Sequence, residues 1–411
     1  MDGESVDGEE LLRRQGASPR SRQEASAVEQ APLLATALPL LRPGMLLRRR
    51  QRVTAPFPLD EPGTSRFFFA RNGIYELARL WSLHGREVLF PAYFHGVELE
   101  ALVDAGVQPR FYPVGPRMEV DPTQVIGMVR PETAAVYLIH YLGFPGPAEE
   151  LAQACRARGI RLIEDCALAL LSKNGDTPLG AHGDAAVFCL YKTLPTPNGG
   201  LVRMRDGPLG RPEGVRPGVA TTLAPVVASL LQGMELRGGP LGKRIRSSIR
   251  WAGRLISGGL GVERVATGTQ HFDRSRQGLS MSALSQVVIE AQDFEAIVER
   301  RRRNYFHLLG RLRGISAPIF GELPPGVCPL FYPLVTDRKA EVLEALALRG
   351  IEAVDFWGRH HPLLPAGIFP DVDELRRKVL EIPCHQDLAP ETIDRMAAEI
   401  EAVIGSKAAS R

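Results

Sequence analysis

The chain has 411 residues, 44% hydrophobic and 24% charged, ordinary globular usage and more length than one compact core usually holds, so a large and a smaller domain are expected. A formal net charge of +3 carries no nucleic-acid signature. The five cysteines (Cys155, Cys166, Cys189, Cys328 and Cys384) have neither CxxC nor finger spacing, so neither a metal site nor a disulfide framework is indicated.

The start, MDGESVDGEE, is acidic and unlike a secretory signal. No apolar run reads as long enough to span a bilayer, and a cytoplasmic place is the default expectation. Residues 1–60 read as a polar, turn-broken extension, partly disordered. Order is expected from "SRFFFARNGIYELARLW" onward, where Ile74, Leu77 and Leu80 or Trp81 take helical spacing.

Strands and helices then alternate. "EVLFPAY", "QPRFYPV", "TAAVYLIHYLG" and "IRLIEDC" read as buried strands, and "GVELEALVDAG" and "PAEELAQACRARG" as helices that stop at glycine. Such alternation predicts βαβ units and a mixed, mostly parallel sheet, whose ligands sit beyond the carboxyl ends of the strands. Glu164 and Asp165 end one strand, and Lys192 follows another, "AAVFCL", so both point to one rim.

Residues 207–265 form a Gly-, Pro- and Arg-rich insert that breaks the alternation. Within it, Ile245, Ile249, Ala252 and Ile256 share one helical face and Lys243, Arg246, Arg250 and Arg254 the opposite one. An exposed helix packed on its own protein is the preferred reading. A weak membrane-surface contact through 243–256, or a polyphosphate contact, is the alternative. One helix is predicted through "ALSQVVIEAQDFEAIVERRRRNYFHLLGRL", with Arg300–Arg303 on a solvated face. A large domain over 61–305 and a small C-terminal α/β domain over 306–411 complete the expected organisation.

A lysine beside flexible backbone at a sheet rim can be desolvated into a nucleophile toward aldehydes. An aspartate ending a neighbouring strand can hold a protonated pyridine nitrogen, and the pair is what pyridoxal phosphate chemistry needs. From the residues alone, Asp165 reads equally as a helix cap and Lys192 as a solvated loop residue.

The ordered set "FPAYFHGVELEALVDAG", "IHYLGFPG", "LIEDCALAL", "LGAHGDAAVFCLYK" and "NGG" resembles the DegT/DnrJ/StrS family of sugar aminotransferases, as a divergent member, over roughly residues 60–403. The resemblance implies the PLP-dependent transferase fold type I, with Lys192 as the catalytic lysine that holds the cofactor and Asp165 against its ring nitrogen. It places the cofactor phosphate at the turn Ala70–Arg71–Asn72–Gly73, where Arg71 and Asn72 are donors, although a plain helix cap at Asn72 fits as well. It puts His95 in the place of the ring-stacking aromatic, and Cys189 where the family has a cofactor-facing serine.

Four residues depart from the family pattern. Leu168 replaces a glutamine that reaches the cofactor, Cys189 replaces that serine with a loop to the lysine two residues shorter, Asn198 replaces an acid before Gly199–Gly200, and Ala70 replaces the first glycine of the phosphate turn. His140 and Tyr141 lie in a strand-end motif shared with the family and read as structural. Trp357, Arg359, His360, His361 and His385 read as substrate-facing loops or plain surface rather than a metal site.

The implied activity moves an amino group from an amino acid, glutamate in the family, to a nucleotide-linked keto-sugar in polysaccharide or secondary-metabolite biosynthesis, by a homodimer. The alternative is a protein of the same fold that regulates or does not transaminate. No dinucleotide or P-loop pattern stands out.

Overall fold

A computed structural model describes residues 33–47, 55–209, 214–257 and 272–405. Its centre is a seven-stranded sheet in the order β1-β9-β8-β5-β4-β2-β3. The strands are β1 (Thr64–Phe67), β2 (Glu87–Pro91), β3 (Gln108–Tyr112), β4 (Thr133–Ile139), β5 (Arg161–Asp165), β8 (Ala185–Cys189) and β9 (Gly200–Met204). β9 runs antiparallel to both β1 and β8, and the remaining pairs are parallel. A short hairpin, β6 (Lys173–Asn174) and β7 (Thr177–Pro178), stands outside this sheet.

β4 reads TAAVYLI and β8 reads AAVFC, with nearly every residue buried. Continuous apolar runs of this kind belong to strands covered on both faces. The cover comes from α2 (Ala70–Leu80), α3 (Val97–Asp104), α4 (Pro122–Gly127) and α5 (Ala148–Ala157). Leu77, Leu99 and Leu151 are fully buried in that layer.

A second sheet, in the antiparallel order β10-β12-β11, carries the C-terminal part. It consists of β10 (Phe331–Val335), β11 (Val354–Asp355) and β12 (Val379–Pro383). α10 (Lys339–Leu348), α11 (Pro370–Lys378) and α12 (Pro390–Gly405) accompany it, and Val342, Met396 and Ile400 are buried among them.

Three expectations change. The helix expected after the insert is two helices, α8 (Ala283–Glu290) and α9 (Phe294–Leu312). Asp293 breaks the run because its side chain accepts from the Ala296 amide and caps a new helix. α9 crosses residues 305 and 306 without a break.

The insert is not merely a turn-rich break: Val219–Ser257, α7, is one helix of 39 residues. Its stretch Val219–Gly238 is long and apolar enough, by length and composition, to cross a membrane, with 22% of that window buried in the protein. The statement that no run has such length is thereby corrected.

Part of the expected extension is also ordered. Residues 33–47 form a strap ending in α1 (Pro43–Leu47), because "LLATALPLL" has apolar side chains to bury, and Ala35 and Leu41 are buried. The Leu34 amide donates to the Gly350 carbonyl at 2.8 Å and the Glu352 amide to Ala35 at 3.0 Å. Residues 1–32 lie outside the described residues.

Candidate active site

The site grows from two neighbouring parallel strands. β5 and β8 pair so that Asp165, the last residue of β5, lies opposite Val187. The chain continues from Cys189 into α6 (Leu190–Thr193), which carries Lys192. Both functional side chains therefore start from the same carboxyl rim.

The turn after Lys192 needs its two glycines. Gly199 has φ +141°, a conformation that side chains strain to adopt. At Gly200 a Cβ would overlap the backbone of Phe69 and Ala70, where α2 begins. The Gly pair thus lets the end of the lysine loop lie directly against the first turn of α2. Asn198, at 0% exposure, fixes the same loop: its Oδ1 accepts from the Ser282 amide at 3.0 Å and its Nδ2 donates to Ser282 Oγ at 3.1 Å. Replacement of the family acid by this amide serves a satisfied structural clamp.

Asp165 is buried, its Oδ2 accepting from the Tyr137 hydroxyl at 2.7 Å and its Oδ1 from the Ala167 amide at 2.8 Å. Burial above all, with the nearby Glu98 charge, pushes its carboxyl up to about 6 against the pull of Tyr137, Ala167 and Lys192. It is held by the strand end, not used as a helix cap. Lys192 is half-buried in α6, and its charge also bears on His95, Cys189 and Glu381.

The His95 amide donates to Glu98 Oε1 at 2.8 Å, and its ring meets Trp357 edge-on at 6.3 Å. Burial first, then Lys192, Arg71 and Arg376, lower its imidazole to about 3, so the ring is neutral at ordinary pH. Its buried Nδ1 has no hydrogen-bond partner. Cys189 is buried, and burial raises its thiol. Leu168 is buried in the main core.

Arg71 lies over the Phe69 ring at 4.2 Å, and α2 opens at Phe69 with no side-chain cap. Asn72 is not that cap. Its Nδ2 donates to the Arg276 carbonyl at 2.9 Å, so its amide nitrogen is committed within the protein.

These features fit pyridoxal phosphate. A buried carboxylate and an amine bear on each other electrostatically, a neutral ring with an orphaned nitrogen is within electrostatic reach of the amine and of Arg71, and an uncapped helix start with Arg71 offers an anion a site.

Other candidates lie elsewhere. His361 Nε2 meets Glu100 Oε1 at 2.6 Å, and its Nδ1 accepts from the Leu363 amide at 3.2 Å. It is a packed structural residue and not surface, whereas His360 faces Asp373 at 3.7 Å. Trp357, read as loop or surface, is buried at 5% exposure against Tyr93. His385 is also buried, tying the strap through the Thr36 carbonyl at 2.9 Å.

The ligand atoms of His140, Glu164 and Cys166 lie within 4.8 Å of one another, but the first two are already spent. His140 Nδ1 accepts from the Gly146 amide at 3.0 Å and Nε2 contacts Glu164 at 2.9 Å. Glu164 also accepts from the amides of Gly180 and Gly183. With His140, these contacts hold its carboxyl below the usual range despite burial.

Three residues near the site escaped sequence reasoning. Arg301, expected on a solvated face, is 1% exposed. It donates to Gln386 Oε1 at 2.8 Å and to the Thr193 carbonyl at 3.2 Å. Arg376 donates to the carbonyls of Ala92 at 3.2 Å, Phe94 at 3.3 Å and Trp357 at 2.6 Å, and so fixes the loop that carries His95. Glu381 sits inside the apolar strand "VLEIP", where burial pushes its carboxyl up to about 8 against Lys192 and Lys339. An acid within an apolar run was the available signal for Glu381. The two arginines had none, because each lies within a charged run.

A large, mostly parallel sheet with the site at its carboxyl rim, followed by a small C-terminal α/β part, is the architecture of the fold type I pyridoxal phosphate-dependent transferases. A solved structure described as DesI in the presence of its TDP-sugar product shares this fold, with a TM-score of 0.64 and 20% identity, covering 95% of this chain and 98% of that one.

The model of the DegT/DnrJ/EryC1/StrS aminotransferase family matches residues 77–212. The chain is thus related to that family, as its motifs implied. The dTDP-4-dehydro-2,3,6-trideoxy-D-glucose 4-aminotransferase of Saccharopolyspora spinosa is 27% identical over 334 residues, 78% of each chain. The GDP-perosamine synthase of Vibrio cholerae is 28% identical over 129 residues, 31% of this chain and 35% of the relative.

Proposed function

We propose that this protein is a pyridoxal phosphate-dependent aminotransferase that moves an amino group from an amino acid, with glutamate as the first donor to test, to a nucleotide-linked keto-sugar. The supporting observation is the placement of Asp165 at the end of β5 and of Lys192 just after the neighbouring β8, with a neutral His95 within electrostatic reach of the lysine. The relatives that act on dTDP- and GDP-linked sugars support the acceptor class.

In this reading Lys192 would hold the cofactor through its amine and would serve as the base for the proton of the donor's α-carbon. Asp165 would stand against the ring nitrogen and keep it protonated, the cation there offsetting the cost of its buried charge. His95 packs on the ring, while Arg71 and the first amides of α2 take the phosphate. The cofactor itself supplies an electron sink for the donor's α-carbon.

The test is spectroscopic. Protein supplied with pyridoxal phosphate should turn yellow, and borohydride should fix the cofactor to the peptide containing Lys192, but not in Lys192→Ala. Colour that glutamate and other amino acids fail to discharge would replace transamination by another reaction of the same cofactor. Colourless protein that takes up no cofactor would favour a regulatory role.

A further inference from the structure

Glu381 lies in the middle of β12, between Leu380 and Ile382, which are both fully buried. It stands opposite Pro333 of β10 on one side and Val354 of β11 on the other, so its place in the sheet is apolar. The residue is 6% exposed. Among the described residues, none gives its carboxyl a hydrogen bond. A carboxyl kept in such a place without a partner lowers stability, and a cost of that kind points to a use.

Five titratable groups lie within electrostatic reach of it: Lys192 on α6, Lys339 on α10, Asp355 on β11, Tyr93 in the loop after β2, and Cys384 just beyond β12. Most are already committed. Lys339 Nζ donates to the carbonyls of Arg376 at 2.7 Å and Phe356 at 3.3 Å, and pairs with Asp355. The Tyr93 hydroxyl donates to the same Phe356 carbonyl at 3.0 Å, and Cys384 Sγ lies 3.6 Å from the Leu330 carbonyl. The Lys192 amine has no hydrogen-bond partner among the described residues, and of the two lysines it bears more strongly on Glu381. β12 is also tied to the lysine helix, since Gln386 in the turn that follows the strand donates to the Thr193 carbonyl at 3.0 Å.

We propose that Glu381 is a positioning residue for Lys192, a carboxyl that pairs with the lysine amine and exchanges a proton with it. The proton that leaves Nζ goes to the Glu381 carboxylate, which becomes a neutral acid, and the amine is left as a base. The exchange needs no other reactant. Its purpose rests on the aminotransferase reading, in which the amine must be unprotonated to serve as the base. Burial suits the acid to this task. It pushes the carboxyl up to about 8, so Glu381 carries a proton at neutral pH, where an exposed glutamate carries none.

The experiment uses the full-length, cofactor-free protein. The infrared band of the protonated carboxyl, identified by its loss in Glu381→Gln, should fade in the parent around pH 8. In Lys192→Ala the cation that favours the carboxylate is gone, so the band should persist to about one pH unit higher. Labelling of Lys192 by trinitrobenzenesulfonate, read by peptide mass, supplies the reciprocal measurement. Near about pH 9, Glu381→Gln should label Lys192 about tenfold faster than the parent, because no carboxylate then holds the ammonium form. Lys173, exposed on the β6–β7 hairpin, should label alike in both.

Two outcomes overturn the proposal: a band that fades at the same pH in the parent and in Lys192→Ala, and a Lys192 labelling rate unchanged in a Glu381→Gln protein whose circular dichroism matches the parent. Both measurements are made without cofactor. A protein that never takes up pyridoxal phosphate would therefore sink the aminotransferase reading and leave the pairing of these two residues standing.

Discussion

The Thr193 carbonyl, one residue beyond Lys192, accepts two hydrogen bonds: from Arg301 Nη2 at 3.2 Å and from Gln386 Nε2 at 3.0 Å. Arg301 comes from α9 and Gln386 from the turn after β12. Arg301 also donates to the carbonyls of Pro329 at 3.2 Å and Leu330 at 3.0 Å. One buried guanidinium therefore ties the lysine loop to the C-terminal sheet. Its planar fork makes it hard to replace by lysine.

Arg301→Lys should lower kcat by roughly ten- to a hundredfold, because displacement of a reacting group by a fraction of an ångström costs that order. KM should move less. Added guanidinium should restore part of the activity of Arg301→Ala. A folded Arg301→Lys enzyme with normal kcat would remove the positioning role.

Glu381 gives a pH test. Its carboxyl stands at about 8 in the folded protein, against about 4.3 in an unfolded chain. Between these values the folded state binds the extra proton, so stability falls as pH rises through this window. Glu381→Gln removes that slope. Its melting temperature should gain on the parent from about pH 5 upward and level off above about pH 8, read by thermal denaturation of the cofactor-free protein. A constant difference across the range would mean that Glu381 is ionised in the fold.

His385 has the opposite sign. Burial lowers its imidazole to about 4, so the unfolded chain binds more protons between about pH 4 and 6.5. Its contribution to stability is present above that window and lost as pH falls through it. Acidification should release the strap at Thr36 early, seen as amide exchange in residues 33–47 before the central sheet opens. Thr36→Val removes the hydroxyl's contact with His385 Nε2 at 3.3 Å and its donation to the Leu38 carbonyl at 2.8 Å, and should cost about 2 kcal/mol.

Gly200→Ala puts a methyl group into the backbone at the start of α2. Because main chain cannot swing aside as a side-chain tip does, the loop or the helix must move. A loss of about 3 kcal/mol or more is expected, along with weaker uptake of pyridoxal phosphate. Gly207→Ala, where a Cβ meets nothing within 4 Å but φ is +102°, should cost less and leave uptake intact.

The sequence alone carried the alternation of strands and helices, the shared rim of Asp165 and Lys192, and the resemblance to the aminotransferase family, because these depend on local periodicity and on motifs a few residues long. It misread Arg301 as solvated, since a run of four arginines looks alike whichever one the core claims. It could not see that Asn72 serves the Arg276 carbonyl, or that residues 33–47 close on 350–352 and 385–387. Those facts join residues hundreds of positions apart, and only packing decides which buried polar group finds a partner.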